Sequence, residues 1–148
     1  MRSHQDLAAV RMIASLHAVQ SEVAASEYNR ATAALVAASS KTSGCIGLRD
    51  GALTVWQAAL RNKRPDPHHL LLAGNWLVGE EAMLKSAQLD EAIALRHREE
   101  AATILAQRRA QEKVSEGLGT ELNKRLEKNR EERQALAAGE AYLRRRFV

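Results

Sequence analysis

The sequence predicts an all-α protein, an antiparallel two-helix coiled-coil hairpin with an interrupted first arm and a longer second arm. The first observation behind this prediction is composition. Aromatic residues are only 3% of the 148 residues although 45% are apolar, and the surplus is mostly alanine and leucine, which favour helices. Residues that favour strands are scarce. Because large side chains are few, we expect thin seams between helices in place of a thick core.

The second observation is a heptad seam in the first arm, which we expect to span residues 3–62. Seam residues follow one another in alternating steps of three and four, as in coiled coils. A second apolar stripe of Ile13, Leu16 and Val23 should widen the buried face. We expect a break at residues 39–51, where four hydroxyl residues and three glycines lower helix propensity. The seam before this break consists of Leu7, Val10, Ala14, His17, Ser21, Ala24, Tyr28, Ala31, Leu35 and Ala38.

The third observation is a pair of prolines, Pro65 and Pro67, which predicts a turn at residues 63–68. Pro67 can occupy the first turn of the next helix with Asp66 as its N-cap. The second arm should span residues 69–145, so roughly 15–20 of its residues project beyond the first arm at 1.5 Å per residue. Residues 1–148 then form one domain. The apolar positions of this arm drift from a strict heptad frame: Leu72, Trp76, Met83, Ala87, Ala94, Ala101, Ile104, Leu118, Leu122, Leu136 and Leu143.

Charge and cysteine content favour a cytoplasmic protein. The chain has 22 lysines and arginines against 18 aspartates and glutamates, a net charge of +4 that permits acidic partners without requiring them. Cys45 is the only cysteine, so no internal disulfide can form, which fits a reducing compartment. The N-terminus leads into no apolar signal-peptide region. The longest apolar run is far shorter than the about 20 residues that span a bilayer, so we expect no membrane insertion.

No arrangement of residues indicates catalysis, and we expect a protein that is not an enzyme. The string that begins at His97 lacks the second histidine of a zinc site. For His68 and His69, two solvated turn residues are favoured over a metal site, since no third ligand is evident. Cys45 has no positioned base and is interpreted as a passive thiol. We therefore expect no catalytic residue, metal, cofactor or small-molecule substrate.

Two sets of residues are candidates for binding a partner protein. Trp56 and Trp76 flank the turn, where we expect an aromatic cluster that packs the closed end; an exposed anchor is the alternative. The projecting end keeps apolar positions beside arginines, which either are solvated or dock on an acidic protein surface. Nucleic-acid binding is less favoured because no aromatic residues interleave with the basic ones. The candidates at this end are Leu126, Arg130, Arg133, Leu136, Tyr142, Leu143, Arg144, Arg145, Arg146 and Phe147.

This layout resembles the FliJ/YscO family of type III export proteins. The resemblance rests on the two arms, on Trp56 and Trp76 near mid-chain, and on the charged stretch from Glu127 to Arg146. It implies a cytoplasmic coiled-coil stalk that docks on the export ATPase hexamer, as the γ stalk does in rotary ATP synthases, and that contacts the export gate or chaperones. Two alternatives stay open: a generic structural or scaffold coiled coil that self-associates, and a nucleic-acid-associated helical protein.

Overall fold

The computed structural model describes the backbone of residues 2–147 and the side chains of residues 4–147. Helix α1 spans Arg2–Arg61 and helix α2 spans Pro67–Arg146. The two helices pack against each other, and the described residues contain no strand. The predicted all-α helical hairpin is therefore confirmed, with a second arm that is longer than the first.

The turn follows the predicted chemistry. The Asp66 carboxylate accepts a hydrogen bond from the backbone N–H of His68 at 3.1 Å, and the Asp66 carbonyl accepts one from the N–H of Leu70 at 3.0 Å. Pro67 is the first helical residue, where its missing N–H costs no helical bond. The predicted cap at Asp66 is therefore confirmed. The helices end and begin at Arg61 and Pro67, so the turn lies slightly earlier than residues 63–68.

The predicted break at residues 39–51 is wrong. Helix α1 is continuous through this segment, and no glycine in the described residues has a positive φ. Within this segment Thr42 and Cys45 are buried against α2, and Ala52 is buried directly after the segment. Tertiary packing therefore outweighs the low helix propensity, which costs about 1 kcal/mol for each helical glycine.

A strict heptad seam runs the whole length of α1. Every seam position predicted between Leu7 and Ala38 is buried or half-buried. The expected widening of this face is wrong, because Ile13, Leu16 and Val23 are 49%, 55% and 56% exposed. The seam instead continues in the same alternating steps through the expected break, at Thr42, Cys45, Arg49, Ala52, Trp56 and Ala59.

Helix α2 keeps an equally strict heptad, so the predicted drift is also wrong. Leu72, Trp76 and Met83, which sequence reasoning placed on the seam, are exposed. The residues that face α1 include charged side chains, whose aliphatic stems can cover a seam while their heads reach water. The buried and half-buried positions that form this seam are Leu70, Ala73, Leu77, Glu80, Leu84, Ala87, Glu91, Ala94, Arg98, Ala101, Leu105, Arg108, Glu112, Ser115, Gly119, Leu122 and Leu126.

The chain divides into two compact units. Unit 1 consists of residues 1–24 and 104–148, and its buried side chains include Leu7, Leu105 and Ser115. Unit 2 consists of Ala25–Thr103 and contains the turn. Its buried cluster joins Cys45 to Leu84 and Ala87.

Replacing a glycine of the continuous α1 segment should stabilise the protein. A Cβ built on Gly44 or Gly47 meets no side chain within 4 Å, so Gly44→Ala and Gly47→Ala should each add about 0.5–1 kcal/mol to the free energy of unfolding. Gly74→Ala is the matched control, since its Cβ would lie 3.1 Å from Cζ3 of Trp56. Urea unfolding followed by circular dichroism should show a smaller gain, or a loss, for the control. Equal gains at Gly44 and Gly74 would contradict the close approach of the helices at Trp56.

Candidate protein-docking surface

Polar contacts between α1 and α2 fix the register of the two helices. The register in turn decides which faces of each helix are exposed. In unit 1, His17 Nδ1 is hydrogen-bonded to Ser115 Oγ, and Arg108 Nη1 donates to Gln20 Oε1 at 3.0 Å. In unit 2, the buried Thr42 hydroxyl lies 3.3 Å from the carbonyl oxygen of Ala87, to which it can donate. Because buried polar groups need partners, a shifted register would leave these groups unpaired.

A cation–ring contact adds to the seam of unit 2. The guanidinium carbon of Arg98 lies 6.0 Å from the centroid of the Tyr28 ring. Hydrogen bonding to Arg98, together with its positive charge, lowers the pKa of the Tyr28 hydroxyl below its ordinary value of 10.0. Tyr28 thus occupies a seam position that a smaller apolar residue could fill. Its ring contacts the Arg98 side chain of α2.

The seam ends near Leu7 and Leu126, and the part of α2 beyond it is exposed. We call residues 127–147 the C-terminal arm. Every residue of the arm is exposed, including Leu136 at 69%, Leu143 at 54% and Phe147 at 83%. Nothing in the described part of the chain covers these apolar side chains. This segment therefore lies beyond the last layer of the seam.

The C-terminal arm continues the heptad frame of α2. Counting on from Leu126 in the same alternating steps, the frame passes through three polar and three apolar positions: Asn129, Arg133, Leu136, Glu140, Leu143 and Phe147. The arm thus presents the same kind of seam that binds α1 elsewhere. An uncovered helix with an apolar seam is typical of a segment that binds another helix or groove.

Arginines lie on this uncovered seam and beside it. Arg130 and Arg133 line an open groove of about 480 Å³ together with His4, Leu7 and Leu126, at the point where α1 begins. The other arginines of the set, Arg144 to Arg146, lie in the last turn of α2. Among the described residues, no salt bridge includes any of them. Their guanidinium groups are therefore available to carboxylates of a partner.

The two tryptophans do not form the expected buried pair at the closed end. Trp56 is a half-buried seam residue that packs against Gly74. Trp76 is 43% exposed, and its indole N–H donates to the Glu80 carboxylate at 3.1 Å. Trp56 therefore has a packing role, whereas Trp76 is the one that a partner could reach.

Sequence reasoning missed an exposed stripe on α1. Met12, Leu16, Val19 and Val23 recur in steps of four, three and four, and all four side chains are more than half exposed. This spacing is itself a heptad signal. Two of its residues, Leu16 and Val23, were expected to widen the buried face together with Ile13, and only the position of α2 shows that they point away from it.

The other candidate chemistry has a structural explanation. Within the described residues, no group of three or more histidine, cysteine or acidic side chains is arranged to hold a metal ion. His68 and His69 are exposed in the first turn of α2. Cys45 is buried beside Leu84 and Ala87, where its thiol acts as a small apolar group.

Comparison with known proteins gives no match: no family model, no curated protein and no solved structure resembles the chain significantly. Among the described residues, neither helix contains a stretch long and apolar enough to cross a membrane. The class defined by the structure is thus a helical hairpin with an uncovered C-terminal arm.

Substitutions at the two tryptophans should show that Trp56 contributes to the stability of the fold and that Trp76 does not. Trp56→Ala removes a ring that packs on Gly74, so it should lower the free energy of unfolding by about 2 kcal/mol. Trp76→Ala alters an exposed position and should change the free energy of unfolding by about 0.5 kcal/mol or less. Urea denaturation of both variants measures this difference. A larger loss at Trp76 than at Trp56 would contradict the assignment.

Proposed function

We propose that this chain is a non-enzymatic, cytoplasmic component of a type III protein export apparatus. In this proposal it docks on the export ATPase hexamer as a coiled-coil stalk, and it contacts the export gate or chaperones. The observation that carries the proposal is the C-terminal arm, a continued heptad seam that no described residue covers. The resemblance of the two-arm layout to export stalk proteins supports the choice of partner.

Apolar contacts should supply most of the affinity of the arm. Burial of apolar surface contributes around 25 cal/mol per Å² before the costs of association are subtracted. Leu136, Tyr142, Leu143 and Phe147 are all more than half exposed, so a partner that covers them removes a large apolar area from water. Exposed ion pairs contribute only about 0.2–1 kcal/mol each.

The arginines of the arm should act mainly on the rate of association. A cluster of positive charge at Arg144, Arg145 and Arg146 attracts an acidic surface over distances of about 10 Å at moderate salt. Because these side chains form no salt bridge in the described structure, docking does not first have to break one. The proposal therefore gives the apolar seam and the arginines different roles.

Truncation after Glu127 tests the arm directly. It removes only exposed residues and keeps Leu126 beside Leu7, so helical content and melting temperature of the hairpin should change little. Binding to the purified export ATPase hexamer of the same organism, measured by biolayer interferometry, should fall by at least about 100-fold, as expected when several anchor side chains are lost.

A double and a triple substitution complement this truncation. Leu136→Glu combined with Leu143→Glu should weaken binding almost as much as the truncation does, chiefly by faster dissociation. Replacement of Arg144, Arg145 and Arg146 by alanine should mainly slow association and reduce its dependence on salt. If the truncated chain bound the ATPase as tightly as the full chain, the docking site would lie elsewhere and the proposal for the arm would be wrong.

A further inference from the structure

Two glycines of α2 lie against α1, and each is covered by a larger α1 side chain. A Cβ built on Gly74 would lie 3.1 Å from Cζ3 of Trp56, and a Cβ built on Gly119 would lie 3.7 Å from Cγ1 of Val10. The first pair belongs to unit 2 and the second to unit 1. In both units, therefore, α2 has a glycine where a large side chain of the opposite helix packs on its backbone.

The glycine beneath Trp56 lies between two leucines of the seam. Gly74 follows Leu70 by four residues and precedes Leu77 by three, and both leucines are half-buried. Residues three and four apart are neighbours on one face of a helix. The Trp56 ring thus packs at a notch in α2 that has a seam leucine on either side along the helix.

The C-terminal arm contains the same spacing in reverse order. Gly139 follows Leu136 by three residues and precedes Leu143 by four, and all three residues line one open concavity on the surface of α2. A Cβ built on Gly139 would meet no other side chain within 4 Å. Within the described residues, this second notch is therefore uncovered.

The seam of α2 also shows what its arginines contact on an opposite helix. The guanidinium carbon of Arg98 lies 6.0 Å from the centroid of the Tyr28 ring, and Arg108 Nη1 donates to Gln20 Oε1 at 3.0 Å. Arg133 is the next arginine in the same seam frame. A helix that covers Arg133 should therefore present an aromatic ring or a hydrogen-bond acceptor, such as an amide or a carboxylate.

We propose that the partner segment that binds the C-terminal arm is a single α-helix, which places a large apolar or aromatic side chain over Gly139 and a ring or acceptor beside Arg133. This inference rests on the proposed function and specifies what the export ATPase presents to the arm. The arm continues the seam frame that binds helix α1 between Leu70 and Leu126, so the same geometry can bind another helix. A strand, whose side chains alternate every two residues, does not match this frame.

The extent of the uncovered seam sets the length of the partner helix. Its six positions begin at Asn129 and end at Phe147, a distance of about 27 Å at 1.5 Å per residue. The partner should therefore supply about five uninterrupted helical turns, with no proline in their interior. Its apolar residues should recur in alternating steps of three and four.

Photo-crosslinking in the complex of the full chain with the purified export ATPase hexamer tests whether a helix covers the arm. Arg130 and Ala137 lie seven residues apart on one flank of the seam, and each is replaced in turn by the photoreactive amino acid p-benzoylphenylalanine. Mass spectrometry should place the two crosslinks about seven residues apart in one helix of the hexamer. The control is Ala138, on the outer face of the arm, where the same replacement should give little crosslinking.

A substitution at Gly139 tests the uncovered notch. Gly139→Phe fills the space that the partner side chain requires, so it should raise the dissociation constant for the hexamer at least about tenfold. Gly117→Phe is the matched control, because Gly117 is an exposed glycine of α2 outside the arm and a Cβ built there also meets nothing within 4 Å. It should leave binding unchanged. Equal binding by both variants would overturn the proposed contact at Gly139.

Two charge reversals separate a seam contact from general attraction. Arg133→Glu changes a seam position, whereas Lys128→Glu makes the same change of charge at an exposed position of the arm outside the seam frame. Arg133→Glu should weaken binding at least about tenfold more than Lys128→Glu, chiefly by faster dissociation. Equal losses would mean that only the net charge of the arm matters, and the proposed contact at Arg133 would be wrong.

The outcomes distinguish this inference from the proposed function. Binding that is lost on truncation after Glu127, but gives crosslinks scattered over several segments of the hexamer, would overturn the helix and leave the proposed function standing. Failure of the full chain to bind the hexamer would overturn both. Crosslinks between two copies of the chain in the absence of the hexamer would show that the arm binds itself, which also contradicts the inference.

Discussion

The packing of α1 against α2 depends on a narrow seam in which small and polar residues are interspersed with leucines. Ala52, Ala73 and Ala87 are among its most buried side chains, and at Gly74 the helices approach so closely that an added Cβ would lie 3.1 Å from the Trp56 ring. Small side chains allow close approach but bury little apolar area per turn. Hydrogen bonds such as those of Thr42 and Arg108 then specify the register. The length of the seam compensates for its thinness.

The composition of this seam determines which apolar residues are exposed on the outer faces of the helices. Because alanine, serine and glycine occupy many of the inner positions, several larger apolar residues lie outside the seam. Leu16, Val114 and Leu118 are therefore exposed, as are Leu136 and Leu143 beyond the last seam layer. Two exposed apolar regions result: the stripe of Met12, Leu16, Val19 and Val23 on α1, and the uncovered C-terminal arm. The proposed docking of the arm would cover apolar side chains that the hairpin itself cannot bury.

Much of the fold could be predicted from the sequence, since its signals are local. Pro65, Asp66 and Pro67 identify the turn and the cap, and the seam from Leu7 to Ala38 follows a regular spacing. The segment at residues 39–51 could not be predicted from propensity, because burial of Thr42 and Cys45 against α2 keeps it helical. The α2 seam was predicted only in part, at Ala87, Ala94, Ala101 and Leu122, because charged seam residues such as Glu80 and Glu91 are poor apolar signals. For α1, the sequence contains two apolar stripes, and only the position of α2 decides which one is buried.

Hydrogen–deuterium exchange of the full chain with and without the export ATPase hexamer is the most direct test of the central claim, that the uncovered seam of the C-terminal arm is the docking site. Without a partner, amides of residues 127–147 should exchange faster than those of the packed α2 segment, since no tertiary contact protects them. On addition of the hexamer, exchange within residues 127–147 should slow markedly. Unchanged exchange in the arm under conditions where the complex is shown to form would contradict this account.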